Sequence, residues 1–105
     1  MDEVRQSPIK KIKLVVTIVD RGLGDEVVEL LKESGVTYTL ISPAYCGTGS
    51  DIMDYLGLSS QERDLVFSVV TEDKVKDVLN KVLYKFDLDE PGNGMAFAIP
   101  ISGVS

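Results

Sequence analysis

Residues 12–19 read Ile12-Lys13-Leu14-Val15-Val16-Thr17-Ile18-Val19, and residues 65–70 read Leu65-Val66-Phe67-Ser68-Val69-Val70. Both runs are short, rich in β-branched residues and bounded by polar ones, which is the pattern of well-buried strands. Each leads into an acidic turn and then a helix. After the first run, Asp20-Arg21-Gly22-Leu23-Gly24-Asp25 precedes Val27, Leu30 and Leu31 at helical spacing. Asp25, Glu26 and Glu29 suit the positive end of that helix, and Gly35 stops it. After the second run, Thr71 stands as an N-cap ahead of Glu72 and Asp73. Val75, Val78, Leu79, Val82, Leu83 and Phe86 then recur at the i, i+3, i+4, i+7 spacing of an amphipathic helix.

Two further strands complete the set: Thr37–Ser42, stopped by Pro43, and Gly94–Ile101. The order is strand, helix, strand, long connection, strand, helix, strand, and the two halves echo one another. Short right-handed connections make this an α+β chain, a ferredoxin-like βαββαβ sandwich. It has a four-stranded antiparallel sheet with two helices on one face. A length of 105 residues makes it a single domain over 1–105, with a frayed polar lead-in at 1–9. Residues 43–63 form an unusually long connection, of the kind that is functional or mobile. Within it Ser50 is placed to cap a short helical turn over Asp51–Leu56, and Ser59 with Glu62 has capping-box spacing.

Two helices cover only one face of such a sheet, yet the strands do not alternate apolar with polar. One set (Ile12, Leu14, Val16, Ile18, Leu65, Phe67, Val69, Phe97, Ile99) is large and is expected to meet the helices. The other (Val15, Thr17, Val19, Ile41, Val66, Val70, Ala96, Ala98) is smaller and still mostly apolar. Leaving such a face in water forgoes on the order of 1 kcal/mol per residue. A homo-oligomer packed through the sheet is the expected remedy.

Composition narrows the chemistry. The sequence has no His and one Cys, which removes the commonest metal ligand and general base and argues against a disulfide framework. A net charge of −6 disfavours nucleic acid as partner. No apolar run approaches the ~20 residues of a membrane span, and no signal peptide opens the chain, so a cytoplasmic location is expected. The chain reads as a non-enzyme.

Few residues carry site chemistry. Gly47-Thr48-Gly49-Ser50 reads as a flexible hinge or as a run of exposed N–H groups that contacts an anion. Pro91-Gly92-Asn93-Gly94 reads as a turn with positive-φ positions or as a phosphate-approaching loop. Cys46 has no His to activate it and reads as an inert small residue. Asp51 and Asp54 read as a solvated acidic face. Tyr45 and Tyr55 are amphipathic loop residues.

The element order, the opening Lys10-Lys11-Ile12 and the run Gly92-Asn93-Gly94-Met95-Ala96-Phe97-Ala98-Ile99-Pro100-Ile101 resemble the P-II nitrogen-regulatory family. That family typically has Gly-Asp-Gly-Lys before an apolar strand ending near Pro, and the likeness covers about residues 10–104. It implies a homotrimer with sheets facing a central axis and a small-molecule effector, an adenine nucleotide among the candidates, in clefts between subunits. It also implies a mobile T-loop, here 43–63, that touches an unknown target protein in nitrogen regulation. By position, Thr39 resembles the family's nucleotide-contacting Thr, Gly47 the glycine at the base of the T-loop, and Gly92, Asn93 and Gly94 the phosphate-side loop. Thr48 and Gly49 stand where the family has a basic residue and a Gln, and Met95 where it has a Lys. These eight form the implied ligand set, with Tyr45, Ser50 and Tyr55 as partner contacts. No cofactor and no metal are implied. Two other ferredoxin-like readings stand beside this one. They are a trimer of the divalent-cation-tolerance type and an acylphosphatase-like hydrolase using Arg21.

Overall fold

The structure, a computed structural model, describes residues 11–46, 61–90 and 92–101. Six elements follow one another: β1 (Ile12–Asp20), α1 (Gly24–Glu33), β2 (Tyr38–Cys46), β3 (Gln61–Thr71), α2 (Glu72–Lys85) and β4 (Gly94–Pro100). The strands form one antiparallel sheet in the order β2-β3-β1-β4. This is the ferredoxin-like α+β arrangement expected from the strand and helix order. β1 lies inside the sheet with a neighbour on each side, which is why it reads as a nearly continuous apolar run.

The helices form for local reasons and end for local reasons. α1 closes on Gly35 at φ +89°, with the Gly35 and Val36 N–H groups returning to the carbonyls of Lys32 and Leu31. That pair of bonds is the Schellman ending that favours glycine. Thr71 has the extended backbone of an N-cap but makes no side-chain capping bond. Instead the Glu72 N–H donates to the Lys11 carbonyl at 2.8 Å. Val75, Val78 and Val82 are buried on α2, and Leu79, Leu83 and Phe86 pack against them.

The sheet faces are the reverse of what residue size implies. Val15, Val19, Val66 and Val70, with Ile41, Ala96 and Ala98, face the helices and share a core with Val27, Leu31, Val78 and Val82. The larger set of Leu14, Val16, Ile18, Leu65, Phe67, Met95 and Phe97 forms a second cluster on the outer face. The helices bring their own bulk to the shared layer, so short strand side chains fill it to interior density. The bulky residues are left on the face that neither described helix covers. Tyr38 and Leu40, on the β2 edge, are 74% and 64% exposed.

The sheet also runs further than expected. β2 passes through Pro43 to Cys46, and β3 begins at Gln61, with Pro43 opposite Asp64 and Cys46 opposite Gln61. Proline is tolerated because β2 is an edge strand, where one side of the backbone has no ladder bond to lose. Glu62 is therefore a strand residue and not the third residue of a helix, and Ser59, its expected capping partner, lies outside the described residues. The lead-in and the helical turn expected over Asp51–Leu56 lie outside the described residues.

Candidate functional site

The site grows from the end of the sheet where β1 finishes, β3 starts and the loop before β4 returns. Arg63 lies opposite Asp20 in the ladder, and its side chain is fully buried. Its Nη1 donates to Asp20 Oδ1 at 2.8 Å and to the Gly92 carbonyl at 3.3 Å. Among the described residues, its Nε and Nη2 are buried without a hydrogen-bond partner. Those two nitrogens form one edge of the guanidinium, the fork that takes a carboxylate or phosphate bidentately. Leaving charged donors buried and unpaired costs several kcal/mol, so an orphaned edge of this kind calls for an explanation.

The loop beside it is built for close approach. Gly92 has φ +88° and Gly94 φ +137°. A Cβ on Gly94 would stand 2.1 Å from the Ile18 carbonyl oxygen, so only glycine lets β4 enter the sheet there. Asn93 is exposed, and its Nδ2 donates to the Asp87 carbonyl at 2.9 Å, which ties the loop to the end of α2. Met95 pairs with Ile18 and belongs to the outer apolar cluster. It supplies packing where a lysine would supply charge.

Thr39 lies elsewhere. It sits on β2 opposite Ser68, and with Tyr38, Leu40, Leu14 and Phe67 it lines an apolar groove of about 340 Å³. Four residues along β1 and three strand spacings separate it from Gly94, a distance on the order of 20 Å. One chain therefore does not bring Thr39 and the Gly92–Gly94 loop together. Gly47, Thr48, Gly49, Ser50 and Tyr55 lie outside the described residues, and Tyr45 is described only as a β2 residue opposite Glu62.

The alternatives find little here. Arg21 is not open to cradle a phosphate, since its guanidinium meets Glu62 at 2.9 Å, Asp64 at 3.2 Å and two backbone carbonyls. Among the described residues, no group of three or more Cys, Asp or Glu side chains is placed to hold a metal ion. Nor is any helix of those residues long and apolar enough to cross a membrane.

Known structures match this fold. The chain superimposes on the P-II protein of Arabidopsis thaliana bound to citrate with a TM-score of 0.67 and 25% identity, over 90% of this chain and 81% of that one. Its fold is that of P-II and P-II-like proteins. A nitrogen-regulatory P-II-like protein of Thiomonas intermedia K12 bound to ADP, AMP and bicarbonate also aligns at TM-score 0.67 and 20% identity, covering 90% of this chain and 96% of that one. The apo form of that protein aligns at TM-score 0.64 and 18% identity over 87% and 89% of the two chains. No protein-family model matches the chain, and no curated relative matches it by sequence.

Arg63, Asp64 and the pairing of Asp20 were missed by motif reading, which singled out only Arg21 at this end of the sheet, although a signal was present in the chain. Asp20-Arg21 and Arg63-Asp64 are complementary dipeptides in opposite order, each at the polar end of an apolar strand. Laying the strands antiparallel sets Asp20 opposite Arg63 and Val19 opposite Asp64, so Arg21, from the turn beyond β1, reaches Asp64 on the diagonal.

Proposed function

We propose that the chain is a P-II-like signal-transduction regulator, not an enzyme, that binds a small anionic ligand in clefts between subunits of a homotrimer. The observation that carries this reading is the buried Nε–Nη2 edge of Arg63, unpartnered beside the Gly92–Gly94 loop. An oxyanion there would satisfy both nitrogens at once. The ligands of the superimposable proteins (citrate in one, ADP, AMP and bicarbonate in the other) are anions of this class. The apolar groove at Tyr38, Thr39 and Leu40 suits a nucleobase, and a second copy would bring it to the first copy's Gly92–Gly94 loop. The uncovered outer face gives the copies a reason to associate. With Met95 in place of a lysine, mono- and diphosphates fit better than a triphosphate, whose last charge finds no partner. Ligand binding would then change how the 43–63 segment meets a target protein, with Gly47, Thr48, Gly49, Ser50, Tyr45 and Tyr55 on that side. A role in nitrogen regulation follows the same likeness.

Calorimetric titration with ADP, AMP and citrate tests the site. The wild-type protein binds at least one of them, and Arg63→Gln weakens that binding by roughly tenfold or more, the value of one charge-assisted hydrogen bond. Absence of binding to all three, or an unchanged affinity in an assembled Arg63→Gln protein, contradicts the reading.

A further inference from the structure

Two ion pairs cross at the sheet end. Asp20 stands opposite Arg63 in the ladder and pairs with it, and Arg21, from the turn beyond β1, reaches diagonally to Asp64, which stands opposite Val19. Successive strand residues point to opposite faces, which sends the two pairs to opposite sides of the sheet. The Asp20–Arg63 pair stands on the outer face beside the Gly92 carbonyl. The Arg21–Asp64 pair stands on the helix side, where Asp64 Oδ2 also accepts the Gly22 and Gly24 N–H groups at 2.9 and 3.1 Å.

The two arginines are used differently. Arg63 keeps an edge free, whereas every guanidinium nitrogen of Arg21 is engaged. Arg21 Nη1 meets Glu62 Oε1 at 2.9 Å, Nη2 donates to the Ala44 carbonyl at 3.0 Å, and Nε donates to the carbonyl of Arg63 itself at 3.2 Å. One side chain from the turn after β1 thus grips β2 once and β3 three times, and one of those grips is on the backbone of Arg63.

We propose that Arg21 is a positioning residue that couples the Arg63 subsite on the outer face to the paired ends of β2 and β3. The coupling rests on the reading of Arg63 as the anion contact and adds the route by which that contact is felt. An anion that fixes the Arg63 guanidinium also fixes its backbone. Arg21 holds that backbone and the Ala44 carbonyl in one planar fork, so order at Arg63 passes to Ala44–Cys46 and Gln61–Asp64. The ligand shifts those strand ends only as far as it prefers the tight arrangement, and loosening them weakens the ligand in return. A lysine at position 21 keeps the charge but cannot span divergent acceptors with a fixed fork.

Amide hydrogen exchange on the wild-type protein, Arg21→Gln, Arg21→Lys and Arg63→Gln, each with and without ADP, tests this. Without ADP, exchange at Ala44–Cys46 and Glu62–Asp64 rises about tenfold in both Arg21 variants, while Val15, Val66 and Val70 keep wild-type protection and show that the fold is intact. ADP slows the same strand-end amides in the wild-type protein but not in Arg21→Gln, which still binds ADP within about tenfold of wild type. Wild-type exchange at the strand ends in Arg21→Gln, full rescue by Arg21→Lys, or ADP slowing retained in Arg21→Gln overturns the proposal. If the wild-type protein binds ADP and Arg63→Gln does not, such a result strikes the role of Arg21 alone. A wild-type protein that ignores ADP strikes the functional reading and the coupling together.

Discussion

Glycine 94 and aspartate 64 carry more of the structure than their size implies. Gly94 combines φ +137° with a backbone oxygen 2.1 Å from where a Cβ would sit. Gly94→Ala therefore strains the backbone and pushes β4 off β1, at a cost of about 2–4 kcal/mol. Chemical denaturation checks this, and a loss below about 0.5 kcal/mol, the level of an ordinary surface change, contradicts it. Asp64 replaces the cap that α1 lacks: Leu23 at the N-cap has no capping side chain, and a carboxylate forty residues away takes the Gly22 and Gly24 N–H groups. The carboxylate is only 10% exposed and also meets Arg21. Asp64→Asn keeps the shape but loses the charge-assisted partner, and stability falls by about 2 kcal/mol. Arg21→Gln in that background adds less than it does alone, because the two changes remove one shared contact.

Among the elements, the strands and α2 were legible in sequence because their signals are local. Val75, Val78 and Val82 repeat at helical spacing, and the two Val-rich runs sit between polar turns. What was not legible depends on neighbours. Which side of β1 meets the helices is not written in β1, since both alternate sets are apolar, and the size argument chose the wrong one. The passage of β2 through Pro43 depends on its place at the sheet edge. The Arg63 site depends on a register between residues more than forty positions apart, and the loop residues Gly92 and Gly94 were legible because their backbone demand is local. The two faces give contrasting mutational signatures. Val66→Ala empties part of the helix-side core and costs about 1–2.5 kcal/mol at any protein concentration. Phe67→Ala, one residue away on the outer face, is expected to destabilise in a concentration-dependent way, because in the proposed assembly it loses contact with another copy. Denaturation midpoints for both variants over a hundredfold dilution series separate them, and a Phe67→Ala midpoint independent of concentration contradicts the assignment.

At the scale of the whole molecule, the sheet is apolar on both sides and the helices shelter one. The unsheltered side holds Phe67, Phe97, Leu14 and Met95, with Leu40 and Tyr38 at its edge. A patch of this kind on a chain of net charge −6 is a surface for association. The proposed assembly would also supply what one chain lacks, since the groove at Thr39 and the loop at Gly92–Gly94 are on the order of 20 Å apart within a subunit. Assembly and ligand binding are thus one claim, and Phe67→Asp is expected to abolish both. A native mass spectrum of the purified protein at micromolar concentration tests it most directly. The expected result is a three-chain species that gains mass on addition of ADP, with the Phe67→Asp variant a single chain that does not. A folded single chain in the wild-type protein, or a single chain that binds ADP as tightly as the assembly, contradicts it.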